Sequence, residues 1–275
     1  MARAHGRRRA PGTSSSRLMR SRSLRCNGAE VRVWEQGEGE PIVFLAGFGG
    51  LPKWIPFLDG LAESRHVIVP SLPGFPGAAG HDRLDDLSDW TAATLEILEG
   101  ATDGPFGLIA SSVSAPLALE AAAMQRQRIA KLALIGPFGI HDERSGAMDL
   151  WAQPPGPKSY PPLLCASPER FEALWDKPDD MDEIEWQVTE VRAREAAARY
   201  LWPLNDTGIL KRAYRITQPM LLLRGGEDKL VPRACLEKLK AAVPGECLIQ
   251  EVAEAGHLVE LDQPDALARL INQFI

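Results

Sequence analysis

Short apolar runs alternate with longer helical patterns along most of the chain. Runs at Val31–Trp34, Ile42–Leu45, Val67–Val69, Phe106–Ala110, Leu132–Ile135, Met220–Leu223 and Cys247–Val252 predict strands. Most are unbroken stretches rather than polar–apolar alternations. Strands covered on both faces of a parallel sheet read this way. Between them, Ser88 is placed to cap a helix carrying Trp90, Ala93, Leu95, Ile97 and Leu98. Residues 113–124 are small and apolar almost all round, which predicts a buried helix. Near the C-terminus, Pro264 precedes an apolar stripe at Leu267, Leu270, Ile271 and Phe274, the pattern of a surface helix. Strand–helix alternation predicts an α/β architecture, a mostly parallel central sheet with helices on both faces.

The alternation breaks between about Gly136 and Ile216. Gln153–Pro162 is too proline-rich to form a regular element. Ser167-Pro168 then signals a helix start ahead of Phe171, Leu174 and Trp175. Met181, Ile184, Val188 and Val191 step by three, four and three, one apolar face of a longer helix. This divides the chain into a core, 29–136 and 216–275, and an inserted helical cap, 137–215. Residues 1–28 form a basic tail, expected to be disordered or to act in targeting.

Charge sharpens that division. The formal charge of −6 hides eight arginines and no acid within residues 1–28. The remainder carries 23 bases against 37 acids, a formal charge of −14. An acidic body argues against nucleic acid as a partner, because phosphate binding needs a basic face. The tail lacks the apolar stretch of a secretory signal, whereas its Arg/Ser-rich, acid-free composition fits a transit peptide or a solvated arm. No apolar stretch reaches the length of a membrane span. Cys26, Cys165, Cys235 and Cys247 form no metal-ligand or C-x-x-C spacing, so reduced thiols in the cytoplasm are expected, or in an organelle if the tail is a transit peptide.

The candidate chemistry sits where apolar runs end. His257 follows the last predicted strand in a Gly-His turn, a position from which a rigid sheet presents a side chain. The strand 106–110 runs through Ala110-Ser111-Ser112-Val113-Ser114 into the buried helix. A nucleophile on so sharp a turn needs tiny residues two before and two after it. Ser112 has Ala110 and Ser114 there, whereas Ser111 would have Ile109 and Val113. Ser112 is therefore the candidate nucleophile. An acid to orient the histidine is available in Asp228, after the glycine-bearing end of the strand 220–223, with Glu227 as the alternative.

The order Ser112, Asp228, His257, each at a predicted strand's carboxyl end, resembles the α/β-hydrolase superfamily over about 29–275. Pro41–Gly50 is similar to that family's strand and His-Gly loop, with Ala46 in place of the histidine. Val69–Phe75 resembles its Asp-x-Pro-Gly loop, with Ser71 for the aspartate. Asp228–Pro232, Gly256-His257 and Gln263-Pro264 resemble its acid-turn and C-terminal signatures. Ala110 and Ser114 replace the glycines of the nucleophile turn. The resemblance implies an oxyanion hole from the backbone N–H groups of Phe48 and Val113, and no metal or organic cofactor. It implies a serine hydrolase that cleaves an ester or related carbonyl bond of a small, largely apolar substrate through an acyl-enzyme. Carbon–carbon hydrolysis of a diketone, or ligand binding with little turnover, are the alternatives on the same fold. A monomer or homodimer is expected.

Overall fold

The computed structural model describes residues 19–145, 148–154, 159–203 and 206–275. Eight strands form one sheet: β1 Arg20–Cys26, β2 Ala29–Gln36, β3 Pro41–Leu45, β4 His66–Pro70, β5 Phe106–Ser111, β6 Ile129–Ile135, β7 Met220–Gly225 and β8 Cys247–Val252. Their spatial order is β1-β2-β4-β3-β5-β6-β7-β8. The pairs β1–β2 and β2–β4 are antiparallel and all the others parallel. Every residue of β5 is buried, which explains its unbroken apolar sequence.

The helices are α1 Pro56–Ala62, α2 Leu87–Ala101, α3 Ala115–Met124, α4 Pro161–Leu164, α5 Pro168–Leu174, α6 Glu183–Leu201, α7 Arg233–Ala242, α8 Val259–Asp262 and α9 Pro264–Phe274. α4, α5 and α6 all lie between β6 and β7. The buried α3 directly follows the end of β5 through one 3-10 turn, Ser112–Ser114.

Several sequence expectations are corrected. The tail ends earlier than residue 28, because Arg20–Cys26 pair with Ala29–Glu35 as an edge hairpin. Its turn is Asn27-Gly28, both at positive φ (47° and 74°), the two-residue connection whose twist suits a hairpin. The run of arginines masks this signal; they suit an exposed edge, where Arg22 pairs with Glu35 at 2.6 Å. Residues 1–18 of the expected tail lie outside the described residues. The cap of α2 is Asp86 rather than Ser88: its carboxylate accepts the N–H groups of Ser88 and Asp89. Pro161 and Pro162 open the short α4 instead of remaining irregular, since proline is tolerated in a first helical turn. On α6 the face of Ile184, Val188 and Val191 is exposed, and the buried face carries Trp186, Ala193, Ala196, Ala197 and Tyr200. Small residues there let the helix lie close to the core. Glycine 74 in the loop after β4 is one contact, since a Cβ on it would stand 2.7 Å from the Ala196 Cβ.

Candidate active site

The parallel strands place three loops at one edge of the sheet. Ser112 follows β5, Asp228 follows β7 and His257 follows β8. The sheet neighbours β5, β6, β7 and β8 therefore bring together residues separated by 145 positions in sequence. His257 Nε2 lies 2.7 Å from Ser112 Oγ, and its Nδ1 lies 3.0 Å from Asp228 Oδ2. Ser112 and His257 carry no exposed surface, and Asp228 is 6% exposed. Glu227, the alternative acid, is exposed to solvent.

Each side chain is held locally. Ser112 has φ 53°, in the left-handed region that non-glycine residues rarely occupy. The turn is thus as sharp as its small neighbours predict, and it lifts the hydroxyl out of the strand. Ser114 explains one missing glycine: its hydroxyl donates to the Ala46 carbonyl and ties the turn to the loop after β3. Asp228 Oδ1 accepts the N–H groups of Leu230 (2.8 Å) and Val231 (3.0 Å), which aims Oδ2 at the imidazole. Burial works against its ionisation, but the charge and hydrogen bond of His257 and these two N–H groups outweigh it. They hold the Asp228 carboxyl below its ordinary value. Gly225 permits the β7 and β8 loops to meet, since a Cβ there would stand 1.9 Å from the Gly256 carbonyl oxygen.

Phe48 and Val113, expected as the oxyanion-binding pair, are both buried beside the serine. Val113 directly follows the serine, and the loop of Phe48 abuts it: a Cβ on Gly47 would stand 3.1 Å from Ser112 Cβ. One aromatic ring adjoins the histidine and begins a chain of ring contacts. Phe138 lies 5.0 Å from its ring, Trp151 lies 6.1 Å from Phe138 and 6.4 Å from Phe48, and Tyr160 lies 5.6 Å from Phe48.

The sequence reading missed two anchors of the helical segment. Tyr200, from α6, donates its hydroxyl to the Val113 carbonyl at 2.8 Å. Asp262, in α8, accepts the N–H groups of Gly256 (2.8 Å) and Ala166 (2.7 Å), joining the histidine loop to the chain after α4. Asp262 had a signal, because an acid two residues before Pro264 suits a helix start. Tyr200 had none, since its partner is a backbone carbonyl 87 positions away. The four cysteines are buried free thiols, and burial pushes those of Cys235 and Cys247 up to about 11, away from reactivity. Among the described residues no helix is long and apolar enough to cross a membrane.

A family model described as the alpha/beta hydrolase family matches residues 42–270, and the chain belongs to that family. It is 23% identical over 270 residues to a 2-hydroxy-6-oxo-2,4-heptadienoate hydrolase of Pseudomonas putida, covering 92% of this chain and 95% of that one. Two solved structures share its fold. A serine hydrolase from the polyaromatic hydrocarbon-degrading Cycloclasticus zankles superposes with a TM-score of 0.74 at 18% identity, covering 94% of this chain and 98% of that one. The 2-hydroxy-6-oxo-6-phenylhexa-2,4-dienoate hydrolase of a Rhodococcus gives 0.72 at 17% identity, covering 94% and 99%. The family and its hydrolase relatives support the broad class, hydrolase.

Proposed function

We propose that this protein is a serine hydrolase with Ser112 as nucleophile, His257 as base and Asp228 as its orienting acid. The observation that carries the reading is the continuous chain Ser112–His257–Asp228 at 2.7 and 3.0 Å. His257 Nε2 is within reach of the Ser112 proton, and Asp228 stabilises the resulting imidazolium. Ser112 Oγ attacks the substrate carbonyl, and the N–H groups of Phe48 and Val113 receive the oxyanion. His257 returns its proton to the leaving group, then activates water to release the acyl group. The rings of Phe48, Phe138, Trp151 and Tyr160 suit a small, largely apolar substrate. Residues 137–215 act as a cap over this site, anchored by Tyr200. Because Ser112 and His257 have no exposed surface, the cap moves to admit substrate.

A second reading, hydrolysis of a carbon–carbon bond, is favoured by the Pseudomonas relative, whose name specifies a 2-hydroxy-6-oxo-dienoate and which aligns over nearly its whole length. The same three residues serve either reaction. The test is a panel of activated esters of graded acyl length, assayed beside a 2-hydroxy-6-oxo-dienoate, on wild type and Ser112→Ala. Turnover of either class is expected to fall at least about 10⁴-fold in Ser112→Ala. Unchanged turnover in that variant, or fluorophosphonate labelling at another serine, would overturn the assignment. The preferred substrate class decides between the two readings.

A further inference from the structure

A cavity of about 300 Å³ lies between the edge hairpin, the loop after β4 and α6, and no triad residue lines it. Two arginines do, Arg32 of β2 and Arg192 of α6. Arg32 is held firmly in place. Its guanidinium carbon lies 3.5 Å from the centroid of the Trp34 ring. Its Nη2 donates to the Leu51 carbonyl (2.8 Å) and to the Ser71 hydroxyl (3.1 Å). Gly77 leaves room for it, since a Cβ there would stand 2.8 Å from Arg32 Cζ. The remaining donors of Arg32 are idle: Nε is buried without a hydrogen-bond partner, and Nη1 makes no hydrogen bond among the described residues. Arg192 also has a buried, unpartnered Nε. Among the described residues it forms no hydrogen bond or ion pair at all. The chain holds 37 acids, yet among the described residues none pairs with either arginine. Glu30 shares the cavity wall, but its Oε1 accepts the Ser23 hydroxyl at 2.5 Å instead.

We propose that this cavity binds a small oxyanion, the carboxylate or phosphate group of a small molecule, held by the guanidiniums of both Arg32 and Arg192. Three physical costs point the same way. A buried donor without a partner is expensive, and the cavity wall carries two of them. Two like charges facing one cavity repel each other. A desolvated guanidinium without a counter-charge is disfavoured, and burial lowers Arg32 to about 10 with no acid to offset it. One oxyanion relieves all three. The planar fork of arginine matches both carboxylate and phosphate, so the shared chemistry is the group and not its carrier. The ligand is small, because about 300 Å³ is at the lower end for ligand pockets. It is not a polyanion, since the Glu30 carboxylate stands in the same wall. Arg32 belongs to the sheet and Arg192 to the inserted helices, so the bound anion ties one to the other. This site lies outside the triad and does not depend on the serine-hydrolase reading.

The test titrates the full chain with inorganic phosphate and, separately, with acetate, at ionic strength held constant by sodium chloride. Calorimetry and thermal unfolding are the readouts. Saturable binding of one anion per chain is expected, with a rise in the unfolding midpoint that chloride does not produce. Arg192→Met should weaken that binding at least about tenfold, the loss of a hydrogen bond to a charged group. Arg32→Met should weaken it as much or more. Arg233→Met, which removes an exposed arginine of α7 already paired with Glu237, should leave it unchanged. Saturation by phosphate alone assigns the site to a phosphate-bearing ligand, and saturation by acetate alone to a carboxylate. Saturable binding of neither anion overturns the proposal. So does binding that survives intact in Arg192→Met, or that falls equally in Arg233→Met, which marks general attraction to positive charge. If Arg32→Met does not fold, Arg192→Met decides by itself, because its side chain makes no contact that holds the fold's polar groups together.

Discussion

Two buried carboxyls, Asp228 and Glu260, are pushed in opposite directions, and the difference is their partners. Asp228 meets an imidazole and two N–H groups, so its charge is favoured despite burial. Glu260 Oε2 has no hydrogen-bond partner, so burial dominates. The consequences for stability have opposite signs. The folded-state pKa of Asp228 is depressed, so its contribution is present above the ordinary carboxylate range and lost as pH falls through its folded value. That of Glu260 is raised, so the folded state holds its proton more tightly than the unfolded chain. Its contribution is full below about 4.5 and is lost as pH rises to about 7. Glu260→Gln is therefore expected to stabilise the protein at pH 8 by about 3 kcal/mol, with no gain at pH 4. Urea denaturation at the two pH values checks this. The small-neighbour rule made Ser112 legible as a residue, whereas nothing in the spacing of Glu260 marked it, because its burial is decided by what packs over α8.

At the scale of elements, α6 shows how periodicity and burial part company. Its stripe of Ile184, Val188 and Val191 has helical spacing, yet all three are exposed. The face that packs is built instead from alanines with Trp186 and Tyr200. Trp186 lies 5.4 Å from Trp175, which directly follows α5. Trp186→Ala is expected to cost about 3 to 5 kcal/mol, as large-to-small substitutions of buried aromatics do. Ile184→Ala should stay within about 0.5 kcal/mol of wild type. Thermal unfolding of the two variants side by side reverses the order that hydrophobic spacing alone would assign. The core strands obeyed their sequence pattern because both of their faces are covered, so every position along them must be apolar. A helix that closes over other elements has no such uniform constraint.

For the whole molecule, the edge of the sheet matters as much as its centre. β1 covers one side of β2, and its Arg22 also donates to the carbonyls of Gly100 and Ala101 at the end of α2. Removal of residues 1–28 would strip this strand from the sheet and expose the β2 edge. That truncation is expected to lower the midpoint of thermal unfolding and to promote association at high protein concentration, read by light scattering. A preserved midpoint would show that the hairpin contributes nothing to the core. The eight arginines therefore do not form one unit with one role. Arg20, Arg22 and Arg25 belong to a strand of the body, and the charge on that body is correspondingly less negative than a division at residue 28 implies.

Local and near-local chemistry determined a good deal of this protein. Apolar runs identified the inner parallel strands, because burial on both faces leaves one solution. Small residues around Ser112 identified the sharp turn, because steric limits act between neighbours in sequence. The order of serine, acid and histidine at strand ends pointed to the fold. Tertiary structure alone decided the rest. It joined Arg20–Cys26 to the sheet, placed Tyr200 on the Val113 carbonyl and turned the apolar stripe of α6 outward. In each case the deciding energy comes from a partner remote in sequence, and neither spacing nor composition encodes which remote group will be there.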